Sequence, residues 1–189
     1  MAAGAPHHHL VLVGLMGSGK SAVGARCAAQ LDRALVDIDE LVELNDGRSV
    51  AGIFQADGEA VFRDLERRAV ADACASPEPL VIACGGGTVL DPENRRRLSA
   101  AGLVVWLRAS PAVLARRLTV TGEQERRPLL RAQSTSGASD SSLREQLQRL
   151  EAERREAYVA AADAAIDTDD LDPDAVADAV VAEWTRCLA

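Results

Sequence analysis

A glycine-rich segment near the N-terminus has the residue types and the spacing of a phosphate-binding loop. Residues 14–21 read Gly-Leu-Met-Gly-Ser-Gly-Lys-Ser, which matches the pattern G-x-x-x-x-G-K-[ST] in full. Glycine permits positive φ angles, so successive backbone N–H groups can turn toward a phosphate. Lys20, the only lysine among 21 basic residues, can reach the β- and γ-phosphates of a nucleoside triphosphate. The predicted nucleotide contacts in this segment are Gly14, Gly17, Ser18, Gly19, Lys20, Ser21 and Ala22.

Two carboxylates, Asp37 and Asp39, follow the apolar run 34–37. Ligands of parallel α/β sheets bind beyond the carboxyl ends of the strands, so both side chains can face the phosphate-binding loop. We assign the hydroxyl of Ser21 and the carboxylate of Asp37 to a Mg²⁺ ion. Asp167, at the end of a later apolar run, is the alternative metal ligand. In a second alternative, Asp37 and Asp39 only cap the helix that follows them.

Two arginines and a run of three glycines indicate a separate site for a small anion. Gly85–Gly87 directly follow a predicted strand, and the absence of side chains there lets a ligand approach the backbone. Arg63 and Arg154 lie on predicted helices, and each can bind a carboxylate with two hydrogen bonds. This set favours a small hydroxylated carboxylate over a nucleobase, because the chain has little aromatic surface for stacking. The charged residues around Arg63 are interpreted as surface charges and helical i,i+4 partners: Glu59, Glu66 and Arg67.

Short apolar runs alternate with helical patterns along the chain, which predicts an α/β fold with a parallel sheet covered on both faces. The predicted strands are 10–13, 34–37, 80–84, 103–107 and 164–167. The predicted helices are 20–31, 40–45, 49–57, 59–75, 111–118, a helix that carries Arg144 to Arg155, and 173–187. Ser49, Ser110 and Asp172 are the predicted N-caps, and the last two precede a proline at the first helical position.

Residues 119–142 interrupt this alternation. They contain Arg126, Arg127 and Arg131 followed by the polar stretch Ser134–Ser142, which is too polar for a core and too long for an ordinary connection. We expect a lid that closes over an anion, and the alternative is a solvated insertion. The remaining chain shows no internal repeat, so we expect the 189 residues to form a single domain.

Composition excludes several classes of protein. The net charge of −8 argues against binding to nucleic acid or to an anionic membrane surface. No apolar run approaches the ~20 residues of a membrane-spanning helix, and residues 1–9 lack the features of a signal peptide. The four cysteines show no C-x-x-C spacing, which disfavours a disulfide or zinc framework. We expect a cytoplasmic protein. We expect His7–His9 to belong to a flexible end that is neither a site nor structure, and the alternatives are a metal-binding tract and part of a tag.

In their order and spacing, these motifs resemble those of the shikimate kinases of aromatic amino-acid biosynthesis. The resemblance extends from about Leu10 to Trp184. It is carried by Gly14–Ser21, Val36–Asp39, Gly58-Glu59, Phe62-Arg63, Glu66, Gly85–Leu90, Arg127–Leu130, Arg154 four residues before Tyr158, and Asp167-Thr168.

The resemblance implies a P-loop kinase fold like that of nucleoside monophosphate kinases. Such a fold has a five-stranded parallel sheet flanked by helices, a lid at about 119–142 and a moving acceptor-binding segment at about 37–67. Asp39 is implied to hold the acceptor hydroxyls and take up the proton, while Arg63, Arg154 and Gly85–Gly87 bind the shikimate carboxylate. Arg117 and the lid residue Arg127 are implied to contact the nucleotide. The implied catalytic residues are Lys20, Asp39 and Arg127.

The sequence departs from the family pattern around the nucleotide. Ala22 stands where the family often has a second hydroxyl, so one possible phosphate contact is missing. Asp169 and Asp170 are acidic where related enzymes sometimes carry a basic residue near the adenine. The segment from Arg154 to Tyr158 also lacks the proline that often precedes the tyrosine.

The resemblance implies transfer of a phosphoryl group from ATP to the shikimate 3-hydroxyl, with Mg²⁺ as cofactor. The products are shikimate 3-phosphate and ADP, and we expect the enzyme to be a monomer. Two alternatives remain at this point: another small-molecule P-loop kinase, such as a gluconate kinase, and an ATP-binding regulatory module without turnover.

Overall fold

The computed structural model describes residues 8–121 and 140–188, in which strands and helices alternate. The strands are β1 (His9–Val13), β2 (Ala34–Asp37), β3 (Leu80–Ala83), β4 (Gly102–Arg108) and β5 (Ala164–Asp167). The helices are α1 (Lys20–Leu31), α2 (Ile38–Asp46), α3 (Val50–Cys74), α4 (Pro92–Ala101), α5 (Pro111–Thr121), α6 (Asp140–Ala161) and α7 (Pro173–Leu188), with a 3₁₀ helix at Thr88–Leu90. Within the described ranges, no helix combines the length and the apolar character needed to cross a membrane.

The five strands form one sheet in the order β2-β3-β1-β4-β5, and every neighbouring pair is parallel. The predicted fold class and the five predicted strands are therefore confirmed. The three inner strands, β1, β3 and β4, are buried almost throughout, whereas the edge strands β2 and β5 are partly exposed. This difference follows from the position of the inner strands, which have helices on both faces and a strand on each side.

Helices cover both faces of the sheet and divide the apolar side chains into two clusters. Along β1, Leu10 and Leu12 point to the side of α1 and α7, and Val11 and Val13 point to the other side. The cluster on the side of α1 and α7 includes Trp184 of α7. The sheet thus has a core on each face, and the loops at the carboxyl ends of its strands project from the same edge.

Several element boundaries differ from the predicted ones, and one helix was missed. Helix α4 has few buried residues, so its apolar pattern is weak. Its N-terminal signal is nevertheless clear, because Asp91 accepts a hydrogen bond from the N–H of Glu93 and Pro92 occupies the first turn. The predicted helices 49–57 and 59–75 form the single element α3, which breaks at Gly58 with φ of 82°. Ser49 caps this helix as predicted.

The predicted lid lies mostly outside the described residues. Its first residues, 119–121, complete α5, and its last residues, 140–142, begin α6. Arg126, Arg127 and Arg131 lie outside the described ranges, so their predicted roles remain predictions.

The expectation of a flexible end at His7–His9 is wrong for His9. This residue begins β1 and is 1% exposed, and its Nδ1 accepts a hydrogen bond from the backbone N–H of Leu80 at 3.1 Å. Burial, together with the positive charges of His8 and Arg33, lowers the pKa of His9 from its usual value. His9 is therefore part of the core, where it joins the first residues of β1 and β3.

We expect the stability of the protein to fall faster below about pH 6.5 than it would without His9. Protonation of Nδ1 removes the acceptor for the Leu80 N–H and places a charge in the core. Because the folded pKa is lowered, this contribution to the free energy of unfolding is complete above the unfolded pKa and is lost as the pH falls toward the folded pKa. Urea unfolding between about pH 7.5 and about pH 5.5 should give a smaller pH slope for His9→Gln than for the wild type.

His8→Gln is the control for this experiment, because His8 is exposed and should leave most of the wild-type slope in place. Equal slopes for His9→Gln and the wild type would contradict the prediction.

Candidate functional site

The phosphate-binding loop connects β1 to α1 at the carboxyl edge of the sheet. Gly14 has a φ of 150° and lies against β4, where a Cβ would come within 2.5 Å of the Leu107 carbonyl oxygen. Gly19 has a φ of 92° and is the N-cap of α1, so the first backbone N–H groups of this helix face the loop. The loop and the positive end of the helix dipole together form a site for an anion.

A cleft of about 730 Å³ extends from this loop across the edge of the sheet, a volume within the range of small-molecule sites. One end is formed by the loop and the start of α1, with Asp37, Asp39 and Gly85 beside them. The other end is formed by residues of α5 and by the segment after β5. We call this space the nucleotide cleft. It includes the following predicted nucleotide contacts: Gly17, Ser18, Gly19, Lys20, Ser21, Ala22 and Arg117.

The carboxylate of Asp37 serves two neighbours at once. Its Oδ2 accepts a hydrogen bond from the Ser21 hydroxyl at 2.7 Å, and its Oδ1 accepts one from the backbone N–H of Asp39 at 3.0 Å. The second bond makes Asp37 the N-cap of α2. The capping interpretation and the metal interpretation are therefore compatible, because capping uses one oxygen and the other faces Ser21.

The donors at this point suit a Mg²⁺ ion that keeps much of its water. Among the described residues, no group of three or more His, Cys, Asp or Glu side chains is arranged to hold a metal. One hydroxyl and one carboxylate oxygen match the sparse protein ligands of Mg²⁺ in nucleotide sites, where water and phosphate oxygens complete the octahedron. The alternative ligand, Asp167, is 71% exposed at its side chain and pairs with Arg108 at 2.6 Å. It is absent from the described lining of the nucleotide cleft.

Lys20 lies over the loop that precedes it. Its Nζ donates a hydrogen bond to the carbonyl oxygen of Leu15 at 2.9 Å, and the side chain is only partly exposed. The ammonium group is thus held against the backbone of the phosphate-binding loop. Its predicted contact with the phosphate oxygens remains a prediction.

The far end of the nucleotide cleft carries both arginines of α5. Arg117 donates to the hydroxyl of Thr168 at 3.0 Å and also to its carbonyl oxygen. Burial lowers the pKa of Arg117 from its usual value. Arg116, which was not predicted as a site residue, lines the same end together with Asp169 and Asp170. The acidic departures noted in the sequence therefore line the end of the nucleotide cleft that is formed by α5 and the segment after β5.

A second cleft adjoins the first and collects every residue predicted to bind the acceptor. Asp39, Arg63, Gly85–Gly87 and Arg154 line it, together with Glu66. Its apolar lining consists of Met16, Val50, Phe54 and Phe62. We call this space the acceptor cleft. Asp39 and Gly85 line both clefts, so they mark the junction between them.

The glycines of the acceptor cleft are needed because charged groups approach their backbone closely. A Cβ at position 85 would lie 2.8 Å from Oδ1 of Asp39, and one at position 87 would lie 2.7 Å from Nη2 of Arg63. Side chains at these positions would displace the carboxylate and the guanidinium. The glycine run therefore allows Asp39 and Arg63 to lie against the same strip of backbone.

The interpretation of Glu66 as a surface charge is wrong. Glu66 is 1% exposed; its Oε2 accepts from Nη1 of Arg63 at 2.8 Å, and its Oε1 accepts from the Thr88 hydroxyl at 2.6 Å. Glu59, in contrast, is an exposed i,i+4 partner of the same arginine, as predicted. Burial acts to lower the pKa of Arg63, but the carboxylates of Glu66 and Glu59 more than offset this and raise it.

The periodicity of α3 contains a signal that identifies Glu66 as buried. Phe62, Glu66, Ala69, Val70 and Ala73 are all buried and follow the three-to-four-residue spacing of one helix face. A carboxylate on such a face requires a partner, because an unpaired buried charge is strongly unfavourable. Arg67, interpreted as a surface charge, is partly exposed and pairs with Asp64 and with Asp91.

Arg154 reaches the acceptor cleft from α6. It is 5% exposed, and its Nη1 donates to the carbonyl oxygen of Gly86 at 3.0 Å. The sequence indicated Arg154 as a ligand but gave no sign of this backbone contact. Arg63 and Arg154 thus approach the glycine run from two different helices, and both guanidinium groups face the same cleft.

Comparisons with known proteins agree with one another over nearly the whole chain. A family model described as shikimate kinase matches residues 16–185. The shikimate kinase of Symbiobacterium thermophilum is 47% identical over 161 residues, which is 85% of this chain and 87% of that protein. The shikimate kinase of Coxiella burnetii (strain RSA 331) is 38% identical over 165 residues, 87% of either chain. The structure of shikimate kinase from Acinetobacter baumannii in complex with shikimate has a TM-score of 0.83 and 29% identity, and the match covers 95% of this chain and 94% of that one.

We predict that Glu66→Gln destabilises the protein by about 1–3 kcal/mol. Glutamine offers one oxygen acceptor where Glu66 serves two donors, Arg63 and Thr88, and its amide N–H groups would face the donor that the oxygen does not serve. The matched control is Glu59→Gln, which changes the exposed partner of the same arginine and should cost less than about 1 kcal/mol. Urea unfolding of both variants measures the difference, and similar losses in the two would contradict a buried structural role for Glu66.

Proposed function

The chain belongs to the shikimate kinase family, and we propose that the residues of its two clefts transfer the γ-phosphoryl group of ATP to the 3-hydroxyl of shikimate. The observation that carries the proposal is the position of Asp39. This carboxylate lines the nucleotide cleft and the acceptor cleft at their junction. A group at that junction can contact both an acceptor hydroxyl in one cleft and a phosphate in the other.

We propose that the acceptor cleft binds shikimate through its carboxylate. The guanidinium groups of Arg63 and Arg154 supply planar donors that suit a carboxylate, and Gly85–Gly87 leave their backbone open to the ligand. Glu66 compensates part of the charge of Arg63 while it holds that side chain in place. The lining of the acceptor cleft holds two arginines and two carboxylates, Glu66 and Asp39, so the attraction for an anionic acceptor comes from the position of the guanidinium groups and not from an excess of positive charge.

Asp39 is proposed to orient the 3-hydroxyl and to accept its proton. The hydroxyl oxygen forms a bond to the γ-phosphorus, the bond from that phosphorus to the β,γ-bridging oxygen breaks, and ADP leaves. The proton passes from the hydroxyl to the Asp39 carboxylate. Because the protein takes little part in covalent chemistry, most of the rate enhancement is expected from positioning and from electrostatic stabilisation.

On the nucleotide side, Lys20 and the N–H groups of residues 14–21 are proposed to hold the phosphates. Ser21 and, through water, Asp37 would hold Mg²⁺, which when bound neutralises charge on the phosphate oxygens. Arg117 is proposed to contact the nucleotide at the other end of the cleft. Arg127 is proposed as a lid arginine because Pro-Leu-Leu follows it in the family pattern. Closure of the lid would exclude water and suppress hydrolysis of ATP.

We further propose that residues 1–189 form one kinase domain, with a lid at about 119–142 and an acceptor-binding segment at about 37–67. The enzyme is proposed to act as a monomer in the cytoplasm on small molecules, without nucleic-acid or membrane partners. The net charge of −8 supports the part of this proposal that concerns nucleic acid, because a negatively charged protein is repelled by phosphate backbones.

The direct test is ADP release measured with ATP and Mg²⁺ in the presence of shikimate, quinate or gluconate. We expect shikimate to accelerate ADP release strongly, and the other two acceptors to have little effect. Acceleration by gluconate alone would identify a gluconate kinase. A rate that depends on no acceptor would favour an ATP-binding module, and either result would contradict the proposed function.

We predict that Lys20→Arg lowers kcat by about a hundredfold or more, although it conserves charge. The lysine ammonium is a compact charge, whereas the guanidinium is a wide planar group that does not fit within the loop. Arg186→Lys makes the reverse exchange on the exposed end of α7 and should leave the steady-state parameters unchanged. Near wild-type kcat in Lys20→Arg would show that this lysine is not the phosphate-contacting group.

A further inference from the structure

The Gly86 carbonyl oxygen accepts two hydrogen bonds from α6. Tyr158 donates its hydroxyl to this oxygen at 2.6 Å, and Arg154 donates Nη1 to it at 3.0 Å. The two donors are four residues apart, so they occupy the same face of the helix one turn from each other. A single backbone oxygen in the acceptor cleft therefore accepts hydrogen bonds from two side chains on one face of α6.

Tyr158 is held in place on its other sides as well. Its side chain is 1% exposed, and its ring stacks on that of Trp106 with a centroid separation of 5.3 Å and an interplanar angle of 14°. Burial raises the pKa of the hydroxyl well above its usual range. The hydroxyl therefore stays protonated near neutral pH and remains a hydrogen-bond donor to the carbonyl.

The backbone N–H of Thr88 donates to the Gly85 carbonyl oxygen across this strip. Because glycine has no side chain to pack and its backbone is unusually free to rotate, the orientation of the Gly86–Gly87 peptide between them depends on other contacts. The carbonyl of Gly86 and the N–H of Gly87 belong to the same peptide unit, which is planar and trans, so they point in opposite directions. Hydrogen bonds that draw the carbonyl toward α6 turn the Gly87 N–H away from that helix. Arg63 approaches Gly87 from α3.

We propose that Tyr158 is a positioning residue for the acceptor, and that it acts through the Gly86 carbonyl. Its hydroxyl fixes the orientation of the Gly86–Gly87 peptide and, through the shared oxygen, the place of the Arg154 guanidinium. This inference rests on the proposed function, since it assigns to Tyr158 an effect on acceptor binding. It predicts that loss of the hydroxyl weakens the binding of shikimate and leaves that of ATP intact.

The test is Tyr158→Phe, which keeps the ring and its stacking on Trp106 but removes the donor. We expect the KM for shikimate to rise about tenfold, as for the loss of one well-formed buried hydrogen bond, while the KM for ATP stays within about twofold. A purely structural role would instead change both KM values and the melting temperature together. That outcome, or an unchanged KM for shikimate, would overturn the inference.

The control is Thr185→Val, which also removes a hydroxyl that donates to a backbone carbonyl, that of Val181 on α7. We expect this variant to keep the wild-type KM for both substrates. An equal rise in the KM for shikimate in the control would overturn the inference, because it would show a general response to the loss of such a bond.

Calorimetric titration with shikimate in the absence of ATP separates this inference from the proposed function. Failure of the wild type to release ADP with shikimate contradicts the function. Equal shikimate binding by the wild type and Tyr158→Phe, whether or not turnover occurs, overturns the role of Tyr158.

A spectroscopic test avoids any dependence on the folding of the variant. Tyr158 is the only tyrosine of the chain, so incorporation of fluorotyrosine gives a single ¹⁹F resonance. We expect this resonance to shift when shikimate is added, because the acceptor binds to the backbone that the hydroxyl holds. An unchanged resonance at saturating shikimate would overturn the proposal.

Discussion

Parallel pairing of β1, β2 and β3 brings the carboxyl ends of three strands to the same edge of the sheet, and both clefts are built on that edge. The phosphate-binding loop leaves β1, Asp37 ends β2, and Gly85 to Gly87 follow β3. In an antiparallel sheet, neighbouring segments would end at opposite edges, and these groups could not meet. The order β2-β3-β1 also places β3 between the carboxylates and the phosphate-binding loop. The short glycine run can therefore adjoin both.

Close approach of charge to backbone is the second constraint on the site. Asp39 and Arg63 lie near the glycine run at distances that a Cβ would not permit, and Glu66 is buried below them. A buried carboxylate is costly unless it is paired and hydrogen-bonded. Arg63 and Thr88 meet that need together. The same pairing holds the arginine in place before any ligand binds, which reduces the conformational entropy that binding would otherwise cost.

The single lysine and the arginines of the two clefts occupy different settings in the structure. The lysine is the first residue of α1, where its compact ammonium group donates to a carbonyl oxygen of the preceding loop. The arginines of the clefts lie on helices and present wide, planar donors, which suit a carboxylate. In the described structure, three of these arginines are also anchored by a hydrogen bond to the protein: Arg63 to Glu66, Arg117 to Thr168, and Arg154 to Gly86. A hydrogen bond from one nitrogen of a guanidinium group fixes the direction in which its other N–H groups point.

The sequence by itself determined the strands, the phosphate-binding loop and the types of residue at each strand end, because these depend on local periodicity and on short spacing. The order and spacing of its motifs, which resemble those of the shikimate kinases, also indicated that Asp39, Arg63 and Arg154 belong to one site. Helix α4 was missed because its apolar pattern is weak, although its cap was visible. Only the tertiary structure decided that Glu66 pairs with Thr88, that His9 is buried, that Asp37 serves both a helix and Ser21, and that Tyr158 contacts Gly86. Each of these depends on which distant segments pack together. Tyr158 and Gly86, for example, are 72 residues apart, and no local sequence pattern indicates that they are partners.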